Sequence, residues 1–236
     1  MCAMLVSLSC PNCGAMTSGS ALQGTVITCE YCRTSFRTAT SLTPEPDMGD
    51  LLLGADFRDP KVPGWVVLNR DKLSFHPGPP PELLIKHPES NLIHPIVRTP
   101  APFDDFDVSV TIRFLDGEYD HVSAGFEVRS SDTGDYVIRI SAQGTFSIGW
   151  HQGSDWGDHL VKWTDIPGLR REWGDANRLR VVAVGNRLRV YINGALITSL
   201  RDERFDSGLI RLVISPGKQK AVQVAYSNLQ LRAVPV

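Results

Sequence analysis

The strongest constraint on the fold is a strict alternation of apolar and polar residues over 106–114, with the sequence FDVSVTIRF. Successive side chains of a β-strand point to opposite faces, so a period of two places the apolar side chains on one face. The segment is therefore predicted to be a half-buried strand. Similar runs predict further strands over residues 123–129, 136–141, 145–151, 160–164, 178–184, 187–192, 209–214 and 222–231.

Turn sequences separate these predicted strands. Gly185-Asn186 and Asn193-Gly194 are typical two-residue hairpin turns, because both pairs tolerate positive φ angles. No segment shows a convincing helical period over about ten residues. Many short strands joined by regular turns predict an all-β sandwich or barrel.

Composition limits the class of protein further. The chain has 236 residues, of which 42% are hydrophobic and 21% charged, values that exclude wholesale disorder and a coiled coil. Its longest apolar runs fall short of the roughly 20 residues of a membrane-spanning helix, so we expect no membrane segment. With 24 basic and 26 acidic residues the formal net charge is −2, which disfavours nucleic acid as a partner.

Four of the five cysteines form two C-x2-C pairs, Cys10 with Cys13 and Cys29 with Cys32, and the fifth is near the start of the chain. A single turn can direct both thiolates of a pair at one ion, and two such turns complete a tetrahedral site. The pattern predicts one structural zinc ion, since a closed shell of four thiolates leaves no position for catalysis. Two disulfides or four buried thiols are the alternatives. No Lys or Arg precedes Arg33, so we expect no export signal and a cytoplasmic protein with reduced thiols.

The segment that contains both cysteine pairs resembles the zinc ribbons at the head of many intracellular prokaryotic proteins. Such ribbons contact nucleic acid or proteins, or serve as small folded tags. The charged residues among the first 40 are only Glu30, Arg33 and Arg37, too few to follow a phosphate backbone. The predicted organisation is a ribbon over residues 1–37, a polar linker over 38–50 and a sandwich over 51–236.

Short motifs spread over residues 51–236 carry a second resemblance. They are Asp56-Phe57, Gly64-Trp65, Phe106-Asp107-Val108, Ala124-Gly125-Phe126, Gly144-Thr145-Phe146, 177–181, 188–194, Phe205 with Gly208, and 226–229. These motifs are similar to those of concanavalin A-like, or laminin-G-like, jelly-roll domains, and to the bacterial group of 3-keto-disaccharide hydrolase and family-16-like domains. The resemblance implies a β-sandwich, but members of this fold include enzymes, sugar-binding domains and protein-binding domains.

Catalytic motifs of known kinds are mostly missing from the sequence. Family-16-type glycosidases carry two glutamates flanking an aspartate, since retaining chemistry needs two carboxylates about 5–5.5 Å apart. The nearest segment, Asp116-Gly-Glu118-Tyr-Asp120, has one glutamate and is interpreted as a solvated turn, with a calcium site as the alternative. No G-x-S-x-G or H-E-x-x-H motif occurs, and the six histidines are scattered, so a second metal site is not expected.

Strand parity divides the five tryptophans. Trp150 and Trp163 share parity with neighbouring apolar residues and are predicted to face the core, as is Trp65. Trp156 and Trp173 lie in predicted loops, where large exposed aromatic side chains favour ligand binding. The alternative is that both of these rings fold back over the edge of a sheet.

The residues that alternate with the apolar ones predict a polar column. If the strands are neighbours in one sheet, the column shares one face, and it consists of Ser123, Glu127, Arg129, Arg139, Ser141, Ser147, His151 and Lys162. We interpret Glu127, Arg129, Arg139 and His151 as candidate ligand-binding residues. We favour the other interpretation of this column, a solvated outer face with cross-strand ion pairs that contribute little.

These observations favour a non-catalytic binding or adaptor protein. The sandwich would recognise a protein or a carbohydrate through the polar column and the loops of Trp156 and Trp173, while the ribbon docks on a partner. The competing hypothesis, implied by the family resemblance, is a glycoside-acting hydrolase of the 3-keto-disaccharide type. It predicts that Glu127, His151 or Asp155 is essential for turnover.

Overall fold

The structure is a computed structural model that divides into two compact units, residues 1–46 and 47–236. It describes residues 48–234, except 89–91, 120, 154, 217–219 and the side chain of Trp156. In the first unit it describes Arg33 and four strands. The four cysteines predicted to bind zinc lie outside the described residues. Among the described residues, no helix combines the length and the apolar character that a membrane crossing requires.

The first unit contains two antiparallel hairpins. Strand β1 (Leu5–Ser9) pairs with β2 (Met16–Ser20), and β3 (Val26–Thr28) pairs with β4 (Ser35–Arg37). In the sequence, each C-x2-C pair falls between the two strands of one hairpin. The zinc-ribbon hypothesis requires two hairpins whose connecting segments contain the cysteine pairs, and this order of strands and cysteines in the sequence is compatible with it. The metal itself stays a prediction.

The second unit is built almost entirely of strands. In chain order, the described residues form β5 (Leu51–Ala55), β6 (Val66–Val67), β7 (Leu73–His76), β8 (Glu82–His87), β9 (His94–Arg98), β10 (Phe106–Asp116), β11 (Ser123–Ser130), β12 (Asp135–Ser141), β13 (Thr145–Gln152), β14 (Asp155–Trp156), β15 (Val161–Asp165), β16 (Ala176–Val184), β17 (Arg187–Ile192), β18 (Ala195–Arg201), β19 (Leu209–Ser215) and β20 (Val222–Arg232). A single turn of 3-10 helix, Arg70–Lys72, precedes β7.

These strands form two antiparallel sheets of eight strands each. The first sheet has the order β18-β17-β16-β10-β20-β8-β7, with β5 also paired to β20. The second sheet has the order β14-β13-β12-β11-β19-β9-β6, with β15 also paired to β13. Strands that are distant in sequence are neighbours in both sheets, as in a jelly roll. The predicted all-β sandwich is confirmed.

The hydrophobic core lies between the two sheets and follows from the alternation in the sequence. The apolar residues of β10 and β11 are fully buried at every second position, including Val108, Val110, Ala124 and Phe126. The predicted core position of Trp65 is confirmed as well. The period of two therefore fixes which face of each sheet is inner and which is outer.

Both predicted two-residue turns are present. Val184 pairs with Arg187 across the first turn, and Ile192 pairs with Ala195 across the second. The second turn has positive φ angles at Asn193 and Gly194, of 51° and 84°, as such hairpins require. The Pro-rich stretch 76–82 connects β7 to β8.

Two residues at the end of the predicted linker form hydrogen bonds with the sandwich. The carbonyl oxygen of Asp50 accepts a hydrogen bond from the backbone N–H of Ala233 at 2.9 Å. The carbonyl oxygen of Gly49 accepts one from Arg232 Nη1 at 3.0 Å. The chain therefore joins the second unit before β5 begins.

Two histidines form a stacked pair where β8 ends and β9 begins. The ring centroids of His87 and His94 are 3.9 Å apart. His87 Nδ1 donates to the carbonyl oxygen of Pro88 at 2.9 Å, and its Nε2 lies 3.2 Å from Lys72 Nζ. His87 is the last residue of β8, and His94 is the first residue of β9.

This pair predicts that the free energy of unfolding falls in mild acid. Burial holds the pKa of His87 below its ordinary value of 6.5, and the positive charge of Lys72 lowers it further. Burial and the neighbouring His87 lower the pKa of His94 in the same way. The native state therefore binds fewer protons than the unfolded chain as the pH falls through 6.5, and stability is lost in that direction. The free energy of unfolding, measured with urea between pH 8 and 5, should decrease as the pH is lowered. The decrease should be smaller in the variant His94→Phe. An unchanged slope in the variant would contradict the assignment.

Candidate functional site

The second sheet carries a polar face on the side opposite the core, formed by residues of β11, β12, β13 and β19. The pairing of the strands places residues of this face side by side, since Gly125 of β11 pairs with Arg139 of β12, and Arg139 pairs with Ser147 of β13. The strands that a shared polar face requires to be neighbours are therefore neighbours. The favoured interpretation of this face as a solvated surface is wrong, because Glu127 is only 5% exposed and Arg139 only 8%. Buried charges on an outer face are costly unless they are paired or used.

One end of the polar face holds an acid–histidine cluster made of Glu127, Asp135 and His151. Their potential ligand atoms all lie within 4.8 Å of one another. His151 Nδ1 donates to Asp135 Oδ1 at 3.0 Å, and Asp135 Oδ2 accepts from Ser130 Oγ at 3.2 Å. Glu127 Oε2 accepts from Arg211 Nη1 at 3.3 Å. The cluster therefore places two buried carboxylates beside a partly buried imidazole and a partly buried guanidinium.

Burial raises the pKa of Glu127 above its ordinary value, and the neighbouring charge of Asp135 raises it further. Arg211 and His151 act in the opposite direction. A carboxyl with a raised pKa is suited to exchange protons near neutral pH. The same three side chains offer atoms that suit a divalent cation. The Arg211 guanidinium beside Glu127 opposes that use, because it adds positive charge where the cation would bind.

The other end of the polar face holds a pocket of about 400 Å³. Trp163 and Arg139 are the aromatic and the cationic side chain of this pocket. The ring of Trp163 is 41% exposed, and the Arg139 guanidinium carbon lies 5.3 Å from the centroid of that ring. Arg139 Nη1 donates to Ser123 Oγ at 3.3 Å. Burial lowers the pKa of Arg139 to about 10, so the guanidinium stays charged at neutral pH. The described lining consists of His121, Ser123, Arg139, Ser141, Gln143, Thr145 and Trp163.

The position of Trp163 differs from the sequence prediction, which placed it in the core. Thr164 pairs with Phe146 and Val161 pairs with Ile148, so two residues of β15 lie opposite the single residue between them on β13. Such a bulge breaks the alternation of faces. The prediction that Trp163 faces the core is therefore wrong, and its ring joins the pocket instead.

Arg129 does not lie on the polar face, again because the pairing of its strand is irregular. It has a φ angle of 53° at an irregularity in the pairing of β11 with β19. Its guanidinium, in a side chain only 1% exposed, donates to the backbone carbonyl oxygens of Phe205 at 2.9 Å and Gly185 at 2.6 Å. Arg129 thus ties together chain segments at the edge of the sandwich, and the structure does not bring it to the other candidate residues.

The remaining candidates are not members of the acid–histidine cluster, although β14 places the backbone of Trp156 beside His151. Trp173 is 43% exposed and makes an edge contact with Tyr119, with the ring centroids 5.9 Å apart. Asp155 is exposed and pairs with Gln152. Gln152 follows His151 in β13, and successive side chains of a strand point to opposite faces. The backbone of Trp156 pairs with His151, but its side chain lies outside the described residues. Trp150 packs partly against the core, in agreement with its predicted position.

The acidic segment 116–120 offers little to a calcium ion in its described part. Asp116 Oδ1 accepts hydrogen bonds from Lys220 Nζ at 2.5 Å and from the Gly117 N–H at 2.8 Å. The bond from Lys220 holds the pKa of Asp116 below its ordinary value. Glu118 lies 3.5 Å from His121 Nε2, and Asp120 is outside the described residues.

Comparison with known protein families identifies the second unit. The model of the 3-keto-alpha-glucoside-1,2-lyase-like domain matches residues 90–232, more than half of the chain. The chain belongs to this family. The matched region contains every member of the polar face named above. The resemblance drawn from the sequence is confirmed for the sandwich, whereas the zinc ribbon lies outside the matched residues.

Solved structures with the same fold support the architecture of this family member. A laminarinase catalytic domain from Thermotoga maritima superposes with a TM-score of 0.60 at 10% identity, covering 80% of this chain and 100% of that one. A β-glucanase from Bacillus licheniformis gives 0.59 at 10% identity, with 80% and 100% covered. A carbohydrate-binding module from Bacillus subtilis gives 0.52 at 16% identity, with 72% and 96% covered. At these identities the likeness concerns the fold. Among curated proteins, none matches the chain significantly.

Sequence reasoning missed several members of the site, and simple signals could have found two of them. Asp135 shares parity with Arg139 in β12, and Arg211 alternates with the buried Ile210 and Leu212 in β19, so extending the column would have included both. His121 lies two residues before β11 and has no such pattern.

Proposed function

We propose that this protein recognises a carbohydrate on the polar face of its second sheet. The observation that carries the proposal is the pocket of about 400 Å³ in which an exposed tryptophan ring, Trp163, lies beside the buried guanidinium of Arg139. An aromatic surface next to a few fixed polar groups is the usual composition of a small-ligand site. A sugar ring offers apolar C–H groups to the aromatic face and hydroxyls to the polar groups.

The described lining suits the hydroxyl groups of a sugar. Ser123, Ser141 and Thr145 supply hydroxyls that donate and accept hydrogen bonds, and Gln143 supplies an amide that does both. The family match and the carbohydrate-binding module among the structural neighbours add support for sugar over protein as the ligand. The adaptor hypothesis, in which the N-terminal unit docks on a protein partner, remains a separate prediction.

A pair of tryptophan variants tests this proposal. Hits from a glycan array should be titrated calorimetrically into wild-type protein, Trp163→Ala and Trp173→Ala. We expect Trp163→Ala to weaken binding at least about ten-fold, roughly 1.4 kcal/mol, because it removes the stacking surface. Trp173 is the matched control, since it is equally exposed but contacts Tyr119 rather than the pocket. Equal losses in both variants, or a loss in Trp173→Ala alone, would contradict the proposed location.

Catalysis is a second candidate function, favoured by the acid–histidine cluster and by the name of the family. In a 1,2-elimination from a 3-keto α-glucoside, a base removes the proton at C2, which the neighbouring ketone acidifies. The C1–O bond then breaks, a C1–C2 double bond forms, and the leaving oxygen takes a proton from an acid. Glu127 is the base we propose, and His151 the acid, with Asp135 stabilising its protonated form across the 3.0 Å bond.

A further inference from the structure

The acid–histidine cluster and its arginine follow the order of the strands in the second sheet. Neighbouring strands of this sheet run β19-β11-β12-β13. Arg211 on β19 pairs directly with Glu127 on β11, and Asp135 on β12 pairs directly with His151 on β13. In this order the guanidinium comes first, the proposed base Glu127 second, and the pair of Asp135 and His151 last. Glu127 is therefore flanked by a cation on one side and by the proposed acid on the other.

The elimination considered above places negative charge on the ketone oxygen of the sugar. When the base takes the proton from C2, the electron pair of that C–H bond forms a C2–C3 double bond, and the oxygen at C3 becomes an enolate oxygen. The C3 ketone then re-forms, the pair moves to a C1–C2 double bond, and the C1–O bond breaks as the leaving oxygen takes the proton of the acid. Fixed donors directed at such an oxyanion commonly supply the largest single stabilisation of a transition state.

Arg211 has the position that such a donor requires. Its Nη1 lies 3.3 Å from Glu127 Oε2, so the guanidinium is beside the carboxylate that would take the C2 proton. The side chain of Arg211 is 31% exposed and that of Glu127 is 7% exposed, so a ligand can reach the arginine beside the buried base. A guanidinium carries several N–H donors and can contact a carboxylate and a ligand oxygen together. During proton transfer the negative charge would move from the carboxylate to the enolate, and both are next to this cation.

We propose that Arg211 stabilises the enolate oxygen at C3 and is a third catalytic residue beside Glu127 and His151. The inference rests on the catalytic candidate function and adds an orientation of the substrate to it. In the sugar, C2 lies between the ketone carbon C3 and the anomeric carbon C1. In the sheet, Glu127 lies between Arg211 and His151 in the order of the strands. The ketone would therefore be directed toward β19 and the glycosidic oxygen toward β13.

Arg98 offers a matched control for Arg211. The two arginines pair directly between β9 and β19, so their side chains are on the same face of the sheet. Arg98 Nη1 donates to the carbonyl oxygen of Thr99 at 3.0 Å, whereas the described bond of Arg211 is to the proposed base. Replacing either arginine by glutamine removes one positive charge from this part of the face. A general effect of charge would therefore appear in both variants.

Exchange of the C2 proton tests the assignment without the elimination step. The 3-keto derivative of 1,5-anhydroglucitol has the ketone but no glycosidic leaving group, so the base can only exchange the C2 proton with deuterium oxide. Wild-type protein should catalyse this exchange, measured by proton NMR. Arg211→Gln should slow it about 10²–10³-fold, the usual effect of removing one oxyanion donor. Arg211→Lys should keep part of the rate because it keeps the charge, and Arg98→Gln should keep the wild-type rate.

The carbon signal of the ketone separates a direct contact of Arg211 from an effect through Glu127. The variant Glu127→Gln should bind a 3-keto α-glucoside without turnover, and carbon-13 at C3 reports the polarisation of the ketone. We expect the C3 resonance of the bound sugar to lie downfield of that of the free sugar. Adding Arg211→Gln should remove this shift, whereas adding Arg98→Gln should keep it. Loss of exchange in Arg211→Gln with an unchanged C3 shift would show that Arg211 only orients Glu127, and would overturn the proposal.

The remaining outcomes separate this inference from the functions on which it depends. Wild-type exchange that Arg211→Gln retains would overturn the role of Arg211 and leave Glu127 as the base. If Arg211→Gln does not fold, the Glu127→Gln protein decides, because a bound ketone with the C3 resonance of the free sugar would overturn the proposal by itself. A wild-type protein that neither exchanges the proton nor releases alcohol would overturn the catalytic candidate and this inference together. Recognition through Trp163 would then be judged by its own titration.

Discussion

Removal of zinc is expected to unfold the N-terminal unit, residues 1–46, while the sandwich keeps its structure. A unit of this size has too little apolar surface to fold without a staple. The free energy of binding structural zinc to four deprotonated ligands is about 10–16 kcal/mol in zinc-finger peptides, and it becomes folding free energy in such a unit. The prediction rests on the spacing of Cys10, Cys13, Cys29 and Cys32, two pairs that fall in the sequence between the strands of the two hairpins.

Metal analysis and thiol counting test this prediction on the full chain. We expect one zinc ion per chain, and a strong chelator should remove the dispersed amide NMR signals of residues 1–46 and leave those of the sandwich in place. Cys29→Ser should have the same effect as the chelator, whereas Cys2→Ser is the matched control and should retain the metal. A metal-free protein whose mass shows two disulfides would contradict the zinc hypothesis.

Replacement of Glu127 by glutamine is expected to reduce turnover of a 3-keto α-glucoside about 10²–10⁴-fold, the usual contribution of a general base. Glutamine keeps the size of the side chain and its acceptor for Arg211, so sugar binding should change little. Because the base acts in its ionised form and burial raises the pKa of Glu127, wild-type turnover should rise with pH over a range above that of an ordinary glutamate. Release of the alcohol can be followed directly.

Asp155→Asn is the matched control for this experiment. Asp155 was an equal candidate on sequence grounds, but it is exposed, pairs with Gln152 and is not a member of the acid–histidine cluster. Its variant should retain full turnover. Wild-type protein that binds the sugar without releasing alcohol would remove the catalytic candidate and leave recognition in place. Full turnover by Glu127→Gln would show that another group is the base.

The alternation of residues was sufficient to predict the sandwich and most of its strands. Period two in β10 to β13 assigns each side chain to the core or the outer face, so the common face of Glu127, Arg139 and His151 followed from parity alone. Parity cannot show how deeply a face is buried. Glu127 is buried because Arg211, from a strand more than eighty residues later, pairs beside it. That neighbour depends on sheet order, which local sequence does not encode.

Two bulges account for the main errors in the predicted site. An extra residue in β15 moves Trp163 from the predicted core to the pocket, and an irregularity in β11 moves Arg129 from the polar face to backbone carbonyls. Neither bulge has a glycine or proline to mark it in the sequence. Bulges often occur where a sheet redirects a side chain to a functional site, and here one of them creates the aromatic surface of the pocket.

The most direct test of carbohydrate recognition is to observe the five tryptophans separately while sugar is added. Full-length protein labelled with 5-fluorotryptophan should give resolved fluorine NMR signals, which single Trp→Phe variants assign. Titration with the tightest-binding glycan from the array should move the Trp163 signal saturably. The signals of the buried Trp65 and of Trp173, which is not among the described lining residues of the pocket, should stay in place. Movement of the Trp173 signal with none at Trp163 would contradict the account.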